Sequence, residues 1–280
     1  MSKHLVHLYL CIIAIGASLF AVTALADDSD IKWSYQGKTG PKYWGQLSPE
    51  FALCANGKQQ SPIDINEETS FSGVKLNMHY KAAPMMIVED GLTELTIGDK
   101  QTIIHDGHSI QLNFPSESIN EILTLNDTNY RLIQFHIHTP SENKWRGKQF
   151  PLEIHFVHQG NDGTVAVIGV FAKLGKANPA LQKIIDHIPH EIGQEIRVPA
   201  TRINPASFLP IKKSYYYFLG SLTTPPCTEG LRWVVMDEPI TASPEQIRKL
   251  KQALSEPNSR PVQPLNDREV NYFDMSSTHE

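Results

Sequence analysis

The chain of 280 residues has no run of like charges, no internal repeat and no low-complexity tract. Its 25 basic and 30 acidic residues are spread along the sequence and give a formal net charge of −5. The lack of a basic cluster argues against nucleic acid or an anionic membrane as the partner. The lack of a linker, together with the length, favours one large domain with a sizeable core over two small ones.

Long apolar segments are missing except at the N-terminus. There, Lys3 is followed by an apolar run that ends in Ala24-Leu25-Ala26. A basic start, an apolar stretch and a small-x-small end are typical of a cleaved secretory signal, although the run is also long enough for a membrane anchor. We predict a signal peptide over residues 1–26, a mature domain over residues 27–280, and a periplasmic or secreted protein.

Cysteine is scarce, with three residues in the whole chain and no C-x-x-C pair. Cys11 falls inside the expected signal, which leaves Cys54 and Cys227. Two thiols in an exported chain most simply pair with each other, and chain-entropy models give so long a loop about 4–5 kcal/mol of stabilisation. Zinc ligation by the two cysteines is the alternative, but it lacks the usual paired spacing. We predict a structural disulfide.

Short apolar or alternating runs separated by turn residues dominate the chain from about residue 74 to residue 171. Strands at this spacing, with tight turns between them, predict an antiparallel sheet. Helical signals are few: one helix is predicted from Asn178-Pro179 to Asp186, and another from Ser243-Pro244-Glu245-Gln246 to about Leu254. The fold class is therefore mostly β (α+β), with short peripheral helices. The predicted strands are Leu92–Ile97, Gln101–Ile104, Leu112–Phe114, Ile119–Leu125, Tyr130–His138, Leu152–His158 and Val165–Phe171.

Three histidines lie on two of these predicted strands. Side chains alternate between the faces of a strand, so His136 and His138 share one face with Gln134, and His155 shares a face with Glu153. Three imidazoles with one open position meet the needs of a catalytic zinc site, and the polar neighbours can orient the rings. Incidental histidines on two half-buried strands are the alternative interpretation.

Groups that could serve such a zinc site lie elsewhere in the chain. Three neutral imidazoles leave the metal its full charge, so it can acidify a bound water towards neutral pH. Thr223 and Thr224 precede two prolines, although such a segment alone is typical of an ordinary proline turn. Glu142, four residues after His138, could accept a hydrogen bond from a threonine hydroxyl, although most glutamates after a strand are solvated. His108 follows a turn and can carry protons near neutrality, although an ordinary surface histidine fits it as well.

Several short segments of the chain, taken in their order along the sequence, resemble the alpha class of carbonic anhydrases over about residues 33–273. The resemblance implies a single domain with a large twisted, mainly antiparallel sheet, and zinc at the base of a cleft. It implies reversible hydration of carbon dioxide to bicarbonate and a proton, with inhibition by sulfonamides and anions. Homodimers occur among exported members. The matching segments are Gln60–Ile65, Gly107-His108, Tyr130–His138, Ser141-Glu142, Glu153–His158 and Ser221–Cys227.

The resemblance also implies a role for each site residue. Thr223 with Glu142 would orient the attacking water, and Thr224 would contact substrate or bicarbonate. His108 would shuttle the proton, and Tyr35 would join the water network. The zinc ligands would be His136, His138 and His155, with Gln134 and Glu153 as their hydrogen-bond partners. The apolar wall for carbon dioxide would be Val157, Val167, Leu222 and Trp233, and the exported members carry the disulfide that Cys54 and Cys227 would form.

Two residues near the expected proton shuttle depart from the family pattern. Asp106 and Gln111 stand where many members carry asparagine. Either change could alter the water chain or the pKa of His108, so the resemblance implies the metal site more firmly than it implies the efficiency of proton transfer. His158 lies on the opposite strand face from His155, and we expect it to be structural.

Two other interpretations of the histidine cluster compete with a catalytic carbonic anhydrase. A cupin-type metalloenzyme is one, because His136-x-His138-x-x-x-Glu142 resembles a cupin motif, for which iron or manganese is the plausible metal. The glycines that frame a cupin motif are missing, since Tyr130 and Gln149 occupy those places. The other rival is an acatalytic binding module of the carbonic anhydrase type, which is expected to lack a zinc ligand or the orienting pair.

Overall fold

The computed structural model of the protein describes residues 31–66, 75–81, 83–84, 102–105, 107–114, 122–196, 202–254 and 257–274. The predicted signal segment, the predicted strand Leu92–Ile97 and Asp106 lie outside these ranges. From Lys32 onward, the chain groups into one compact unit. None of the helices in the described ranges is both long and apolar enough to cross a membrane.

Short strands are the main regular structure of the described residues, as the spacing of the apolar runs predicts. The strands are β1 (Asp64–Ile65), β2 (Leu76–His79), β3 (Ala83–Pro84), β4 (Thr102–His105), β5 (Ile110–Asn113), β6 (Ile122–Leu125), β7 (Thr128–His138), β8 (Lys144–Trp145), β9 (Lys148–Gln149), β10 (Leu152–Gly160), β11 (Val165–Leu174), β12 (Glu195–Ile196), β13 (Arg202–Ile203), β14 (Tyr215–Ser221), β15 (Glu229–Met236), β16 (Ile240–Ala242) and β17 (Asn271–Phe273).

Twelve of the described strands form one large sheet. Nine of them follow the order β12-β4-β5-β7-β10-β11-β15-β14-β17, while β16 pairs with β11, and β2 and β6 extend from β7. The prediction of a mainly antiparallel sheet is confirmed, but the sheet is mixed, because β11 runs parallel to β15 and β16. Local turn spacing does not reveal this pairing, since parallel neighbours are joined by long crossovers.

Alternation along the central strands sorts the apolar side chains onto two faces of the sheet. Ile154 and Phe156 of β10 face the larger core, which also receives Leu250. Val167 and Trp233 face the opposite way, into a second apolar cluster. This second cluster lies on the histidine face of β10, so the candidate site is supported by a packed apolar layer.

The helices are short and carry the predicted caps. Asn178 accepts hydrogen bonds at Oδ1 from the backbone N–H groups of Ala180 and Leu181. Ser243 and Gln246 form a reciprocal capping box, with both bonds at 3.2 Å. Both predicted helices are confirmed within one residue. The helices are α1 (Trp44–Leu47), α2 (Leu53–Asn56), α3 (Pro179–Ile185) and α4 (Pro244–Leu254), with 3-10 turns at Gly37–Thr39, Pro49–Phe51 and Pro205–Phe208.

The predicted disulfide between Cys54 and Cys227 is confirmed, with the two Cα atoms 5.0 Å apart. It joins α2 to the loop that follows β14. Tyr35 and Trp44 pack with it in a third apolar cluster. The N-terminal segment is thereby attached to the loop that carries the two predicted threonines.

Candidate metal centre

The three predicted ligands are brought together by the register of β7 and β10. These antiparallel strands place His136 opposite His155 and His138 opposite Glu153. One ligand atom from each of the three histidines lies within 4.8 Å of the other two. Among the described residues, no other group of three or more histidine, cysteine or carboxylate side chains is close enough to hold a metal ion.

His136 and His138 are oriented through Nδ1. The Nδ1 atom of His136 lies 2.8 Å from Oε1 of Gln134. The Nδ1 atom of His138 lies 2.7 Å from the main-chain oxygen of Asn258. Because these contacts make Nδ1 the donor, both rings present Nε2 as the lone-pair atom for a metal.

His155 is contacted at Nε2 rather than at Nδ1, by the buried carboxylate of Glu153. Its Nε2 lies 3.1 Å from Oε1 of Glu153, so Nδ1 is the atom presented to the centre. Glu153 accepts hydrogen bonds at 2.8–2.9 Å from the backbone N–H groups of Glu142 and Asn143 and from Nδ2 of Asn143. Burial raises the pKa of Glu153, and the hydrogen bonds from Asn143 act against that shift. Glu153 is therefore held rigidly behind its histidine.

The donor set suits zinc. Desolvation, and next to it the neighbouring His138, lower the pKa of His155 well below 6.5. The pKa of His136 is lowered well below the same value by desolvation and by both other histidines. The rings of His136 and His155 are therefore neutral near pH 7 and keep their lone pairs for a metal ion. Three converging imidazoles fit a zinc ion, which His136, His138 and His155 would hold.

Glu142 lies beside the histidines. Its Oε2 is 3.4 Å from Nε2 of His138 and 3.8 Å from Nδ1 of His155. Its Oε1 accepts a hydrogen bond from the backbone N–H of Arg260 at 2.8 Å. Burial raises the pKa of Glu142 to about 8, although hydrogen bonds from the Arg260 backbone and the Thr223 side chain lower it. The structure therefore brings the predicted partners Glu142 and Thr223 together.

The loop that carries the two threonines is fixed at its far end. The backbone N–H of Cys227 donates to the carbonyl of Thr224 at 2.9 Å, and Cys227 is bonded to Cys54. Cys227 has φ of +59°, a conformation that the surrounding structure must impose on a residue with a Cβ. Thr223 is buried, whereas Thr224 is half-buried. The loop thus holds one hydroxyl against Glu142 and leaves the next one more accessible.

The side chains predicted to form an apolar wall lie on the histidine face of the sheet. Trp233 contacts the metal-site face directly, with its ring centroid 4.9 Å from that of His155. Its Nε1 donates to the main-chain oxygen of Ser221 at 3.0 Å, which fixes the indole beside the threonine loop. The four predicted wall residues all belong to the second apolar cluster: Val157, Val167, Leu222 and Trp233.

Gly169 of β11 is a site residue that was not predicted from the sequence. It pairs with His155 across the sheet. A Cβ on Gly169 would lie 2.9 Å from Oε1 of Glu153 and 3.8 Å from the Trp233 ring. Glycine is therefore needed here because the carboxylate that orients His155 passes directly over the strand. A glycine within a strand pattern indicates that another group comes close to the backbone there, but the sequence does not show which group it is.

His108 lies away from the ligand cluster, on the N-terminal side of β5. Its ring stacks on Trp33, with centroids 3.8 Å apart and planes at 14°. Its Nε2 lies 3.1 Å from the main-chain oxygen of Trp33. Tyr35 makes an edge contact with the same histidine at 6.4 Å. The structure therefore places the two predicted proton-path residues, His108 and Tyr35, next to each other.

The segment after α4 also contributes to the site and was not predicted from the sequence. Asn258 and Arg260 are both 2% exposed. Asn258 contacts His138, and Arg260 contacts Glu142, each through its backbone. The Arg260 guanidinium donates to main-chain oxygens of Ser61 and Cys54. No local pattern marks these residues, because their roles depend on contacts with distant strands.

Two other predicted positions can be placed. Gln111 lies opposite His136 on β5, and its Nε2 donates to Oδ1 of Asn113 at 2.7 Å. His158 is fully buried, with Nε2 2.7 Å from the Tyr80 hydroxyl and Nδ1 3.3 Å from the main-chain oxygen of Ala166. These contacts agree with the structural role expected of His158. Asp106 lies outside the described residues.

Known proteins are similar to this chain in sequence and in fold. The profile of the family described as "Eukaryotic-type carbonic anhydrase" matches residues 39–274. A carbonic anhydrase of Pectobacterium atrosepticum is 42% identical over 248 residues, which cover 88% of this chain and 92% of that protein.

Solved structures agree with the sequence matches. The alpha-carbonic anhydrase of Thermovibrio ammonificans, in complex with the inhibitor sulfanilamide, has a TM-score of 0.76 at 38% identity and covers 86% of this chain and 99% of its own. The Photobacterium profundum alpha-carbonic anhydrase has a TM-score of 0.74 at 40% identity and covers 86% of this chain and 100% of its own. With the three converging histidines and the fold, these matches show that the chain belongs to the alpha-class, or eukaryotic-type, carbonic anhydrase family.

Proposed function

We propose that this chain catalyses the reversible hydration of carbon dioxide to bicarbonate and a proton, with zinc held by His136, His138 and His155. The observation that carries the proposal is the convergence of three imidazoles beside a buried glutamate–threonine pair, within a chain of this family. When bound, zinc supplies Lewis acidity that brings the pKa of water to about 7, the value established for carbonic anhydrases as a class.

Glu142 and Thr223 would set the direction of attack. Glu142 is buried and held at Oε1 by the Arg260 backbone, so its carboxylate cannot rotate freely. A cation at the histidines favours the ionised form of Glu142, which accepts a hydrogen bond from the Thr223 hydroxyl. With its proton committed to Glu142, the Thr223 oxygen can only accept a hydrogen bond from the attacking water, and this fixes the water's lone pair.

The apolar wall and Thr224 would receive the substrate. Carbon dioxide is uncharged and weakly polar, so it is compatible with the surface formed by Val157, Val167, Leu222 and Trp233. Bicarbonate is charged and strongly hydrated, so the same wall favours its departure. Thr224, which is more accessible than Thr223, offers a hydroxyl to the polar end of substrate or product.

His108 would carry the released proton towards solvent. It is half-buried and stacks on Trp33, so part of its ring is open to solvent. An imidazole ring can both accept and donate a proton, which suits proton exchange between a cleft and solvent. Tyr35, beside His108, would provide a hydroxyl for ordered water on this path.

The two rival interpretations find no support. The curated relatives and structural neighbours do not favour a cupin-type enzyme, and the metal cluster consists of histidines without Glu142. An acatalytic module would be expected to lack a ligand or the orienting pair, and this chain has them all. Because the Thermovibrio ammonificans relative binds sulfanilamide as an inhibitor, we propose that sulfonamides inhibit this chain as well, and that small anions do too.

We further propose that residues 1–26 direct export and are removed, and that the mature domain acts in the periplasm or outside the cell. The disulfide supports this, because such bonds persist mainly in oxidising compartments. N-terminal sequencing of protein recovered from a periplasmic extract tests it: a start at Asp27 is expected, and a start at Met1 in the cytosolic fraction would contradict it. A homodimer stays a prediction for sedimentation analysis.

Stopped-flow hydration of carbon dioxide tests the proposed residue roles. His108→Ala is expected to lower kcat in weak buffer by about tenfold, to leave kcat/KM within about twofold, and to be rescued by added imidazole. Thr223→Ala is expected to lower kcat/KM itself, without imidazole rescue. Equal losses for both variants in both constants would contradict the separation of attack from proton transfer.

A further inference from the structure

We propose that the side chain of Asn258 is a positioning residue for proton transfer: it holds His108 at a fixed place relative to the metal centre. The proposal rests on the proposed role of His108. Asn258 lies in the coil after α4 and is far from both His108 and His138 in sequence, yet it contacts the backbone of the first and the ring of the second.

Asn258 makes hydrogen bonds through both its amide and its backbone. Its Nδ2 donates to the main-chain oxygens of His108 and Ile137, each at 2.9 Å. Its Oδ1 accepts from the backbone N–H of Thr139 at 2.8 Å. Its own main-chain oxygen lies 2.7 Å from Nδ1 of His138. A single residue therefore joins the proton-carrying histidine to a zinc ligand and to the strand that bears it.

The position of these contacts explains why an amide is needed. The β5–β7 ladder begins at the pair Ile110 and Ile137, and His108 lies two residues before it. At this point the carbonyls of His108 and Ile137 both face Asn258, and an uncharged NH₂ group has two N–H donors and can serve both carbonyls at once. Asn258 thus continues the connection between the two strands beyond the end of the backbone ladder.

Burial makes this connection strong and directional. Asn258 is 2% exposed, so its hydrogen bonds do not compete with bulk water. Proton transfer through ordered water depends steeply on the distance and angle between donor and acceptor, and a misplacement of about 1 Å can cost up to about 100-fold in rate. Loss of the amide would leave two buried carbonyls without this donor and would allow the His108 segment to shift.

The side chain and the backbone of Asn258 act on different groups. The side chain contacts His108, Ile137 and Thr139, whereas the main-chain oxygen contacts the zinc ligand His138. A side-chain substitution keeps that carbonyl, so it should disturb proton transfer more than zinc affinity. This difference separates positioning from a general loosening of the site.

The test compares Asn258→Ala and the equal-sized Asn258→Asp with a matched control, Gln246→Ala. Gln246 is also a buried amide, 1% exposed, and its Nε2 donates to the Asn178 carbonyl and to Oε1 of Gln182, away from the metal centre. The measurements are thermal unfolding, zinc affinity by chelator competition, stopped-flow kinetics in weak and strong buffer, and imidazole rescue.

Both Asn258 variants are expected to lower kcat in weak buffer about fivefold to tenfold, with kcat/KM and the zinc dissociation constant within about threefold and with partial rescue by imidazole. Gln246→Ala is expected to lower only the unfolding temperature. The double variant His108→Ala/Asn258→Ala should be no slower than His108→Ala alone, because a positioning residue has no effect without the residue that it positions.

Three results would overturn the proposal. One is an unchanged kcat in both Asn258 variants while His108→Ala is slow, which leaves the proposed role of His108 intact. Another is a parallel loss of kcat, kcat/KM and zinc affinity, or failure of both variants to fold, since either shows a general structural role. The third is an unchanged kcat in His108→Ala, which removes the proposed proton path and Asn258's role with it.

Discussion

The backbone N–H of Glu142 donates a hydrogen bond of 2.9 Å to Oε2 of Glu153, so that two buried acidic residues are fixed against each other. They face different partners. Glu153 holds the ring of His155, whereas Glu142 interacts with the Thr223 hydroxyl and the Arg260 backbone. Two neighbouring carboxyl groups thus serve two different groups of the same centre.

Neutralising each of these carboxyl groups should have a different result. Glu153→Gln is expected to weaken zinc binding about 10-fold to 100-fold, because it removes the negative charge behind His155. Glu142→Gln is expected to keep zinc affinity within about threefold and to lower the hydration rate at least about tenfold. Chelator competition and stopped-flow assays measure both quantities. Equal losses of zinc in the two variants would make Glu142 a ligand and would contradict the separate roles of the two carboxyl groups.

Gly169→Ala should damage the metal site without touching a ligand. The added Cβ would lie 2.9 Å from Oε1 of Glu153, which cannot move aside easily because Asn143 holds it. We expect zinc affinity to fall about tenfold. Isothermal titration of the metal-free protein with zinc measures the change. An affinity equal to that of the parent protein would show that the carboxylate tolerates displacement.

His158 should make the protein sensitive to acid. Burial lowers its pKa to about 3, whereas the unfolded chain titrates near 6.5. Between these values only the unfolded state takes up the proton, so this contribution to stability is complete above about pH 6.5 and is lost at up to about 1.4 kcal/mol per pH unit as the pH falls towards 3. His158→Gln should reduce the slope of unfolding free energy against pH in urea titrations. An unchanged slope would show that His158 is not responsible.

The disulfide should contribute most of its stabilisation through the unfolded chain. Cys54 and Cys227 are separated by 173 positions in the sequence. Chain-entropy models assign about 4–5 kcal/mol to such a closure, so Cys54→Ser/Cys227→Ser should lower the unfolding free energy by a large part of that amount. Urea unfolding of the oxidised protein and the double variant gives the difference. Equal stabilities would contradict it.

Much of the metal centre could be predicted from the sequence, because it depends on strand parity. His136, His138 and Gln134 share a face by alternation alone, and so do His155 and Glu153. The sequence pattern does not show that β7 and β10 are neighbours. Once these two strands pair in the observed register, the three histidines lie on the same face of the sheet and form the metal centre. Chemistry alone suggested that Glu142 accepts a hydrogen bond from a threonine, and the family resemblance then identified that threonine as Thr223. The two residues are far apart in the sequence and in contact in the fold.

The remaining parts depend on tertiary contacts that no local pattern encodes. Asn258 and Arg260 lie in coil, and they matter because distant backbone groups face them. Gly169 is needed because of the space that the Glu153 carboxylate occupies. The parallel pairing of β11 with β15 was also missed, since residues in these strands are more than fifty positions apart and no hairpin turn joins the two strands.

Hydration of carbon dioxide by this protein should require zinc on His136, His138 and His155. Stopped-flow assays of the zinc-loaded protein, the metal-stripped protein and a ligand variant test this requirement. The zinc-loaded protein should be active, should lose activity in proportion to zinc removed by a chelator, and should recover it on adding zinc. His136→Ala should bind zinc far more weakly and show no hydration above background at the same concentration. Full activity in the metal-stripped protein or in His136→Ala would contradict the requirement for zinc.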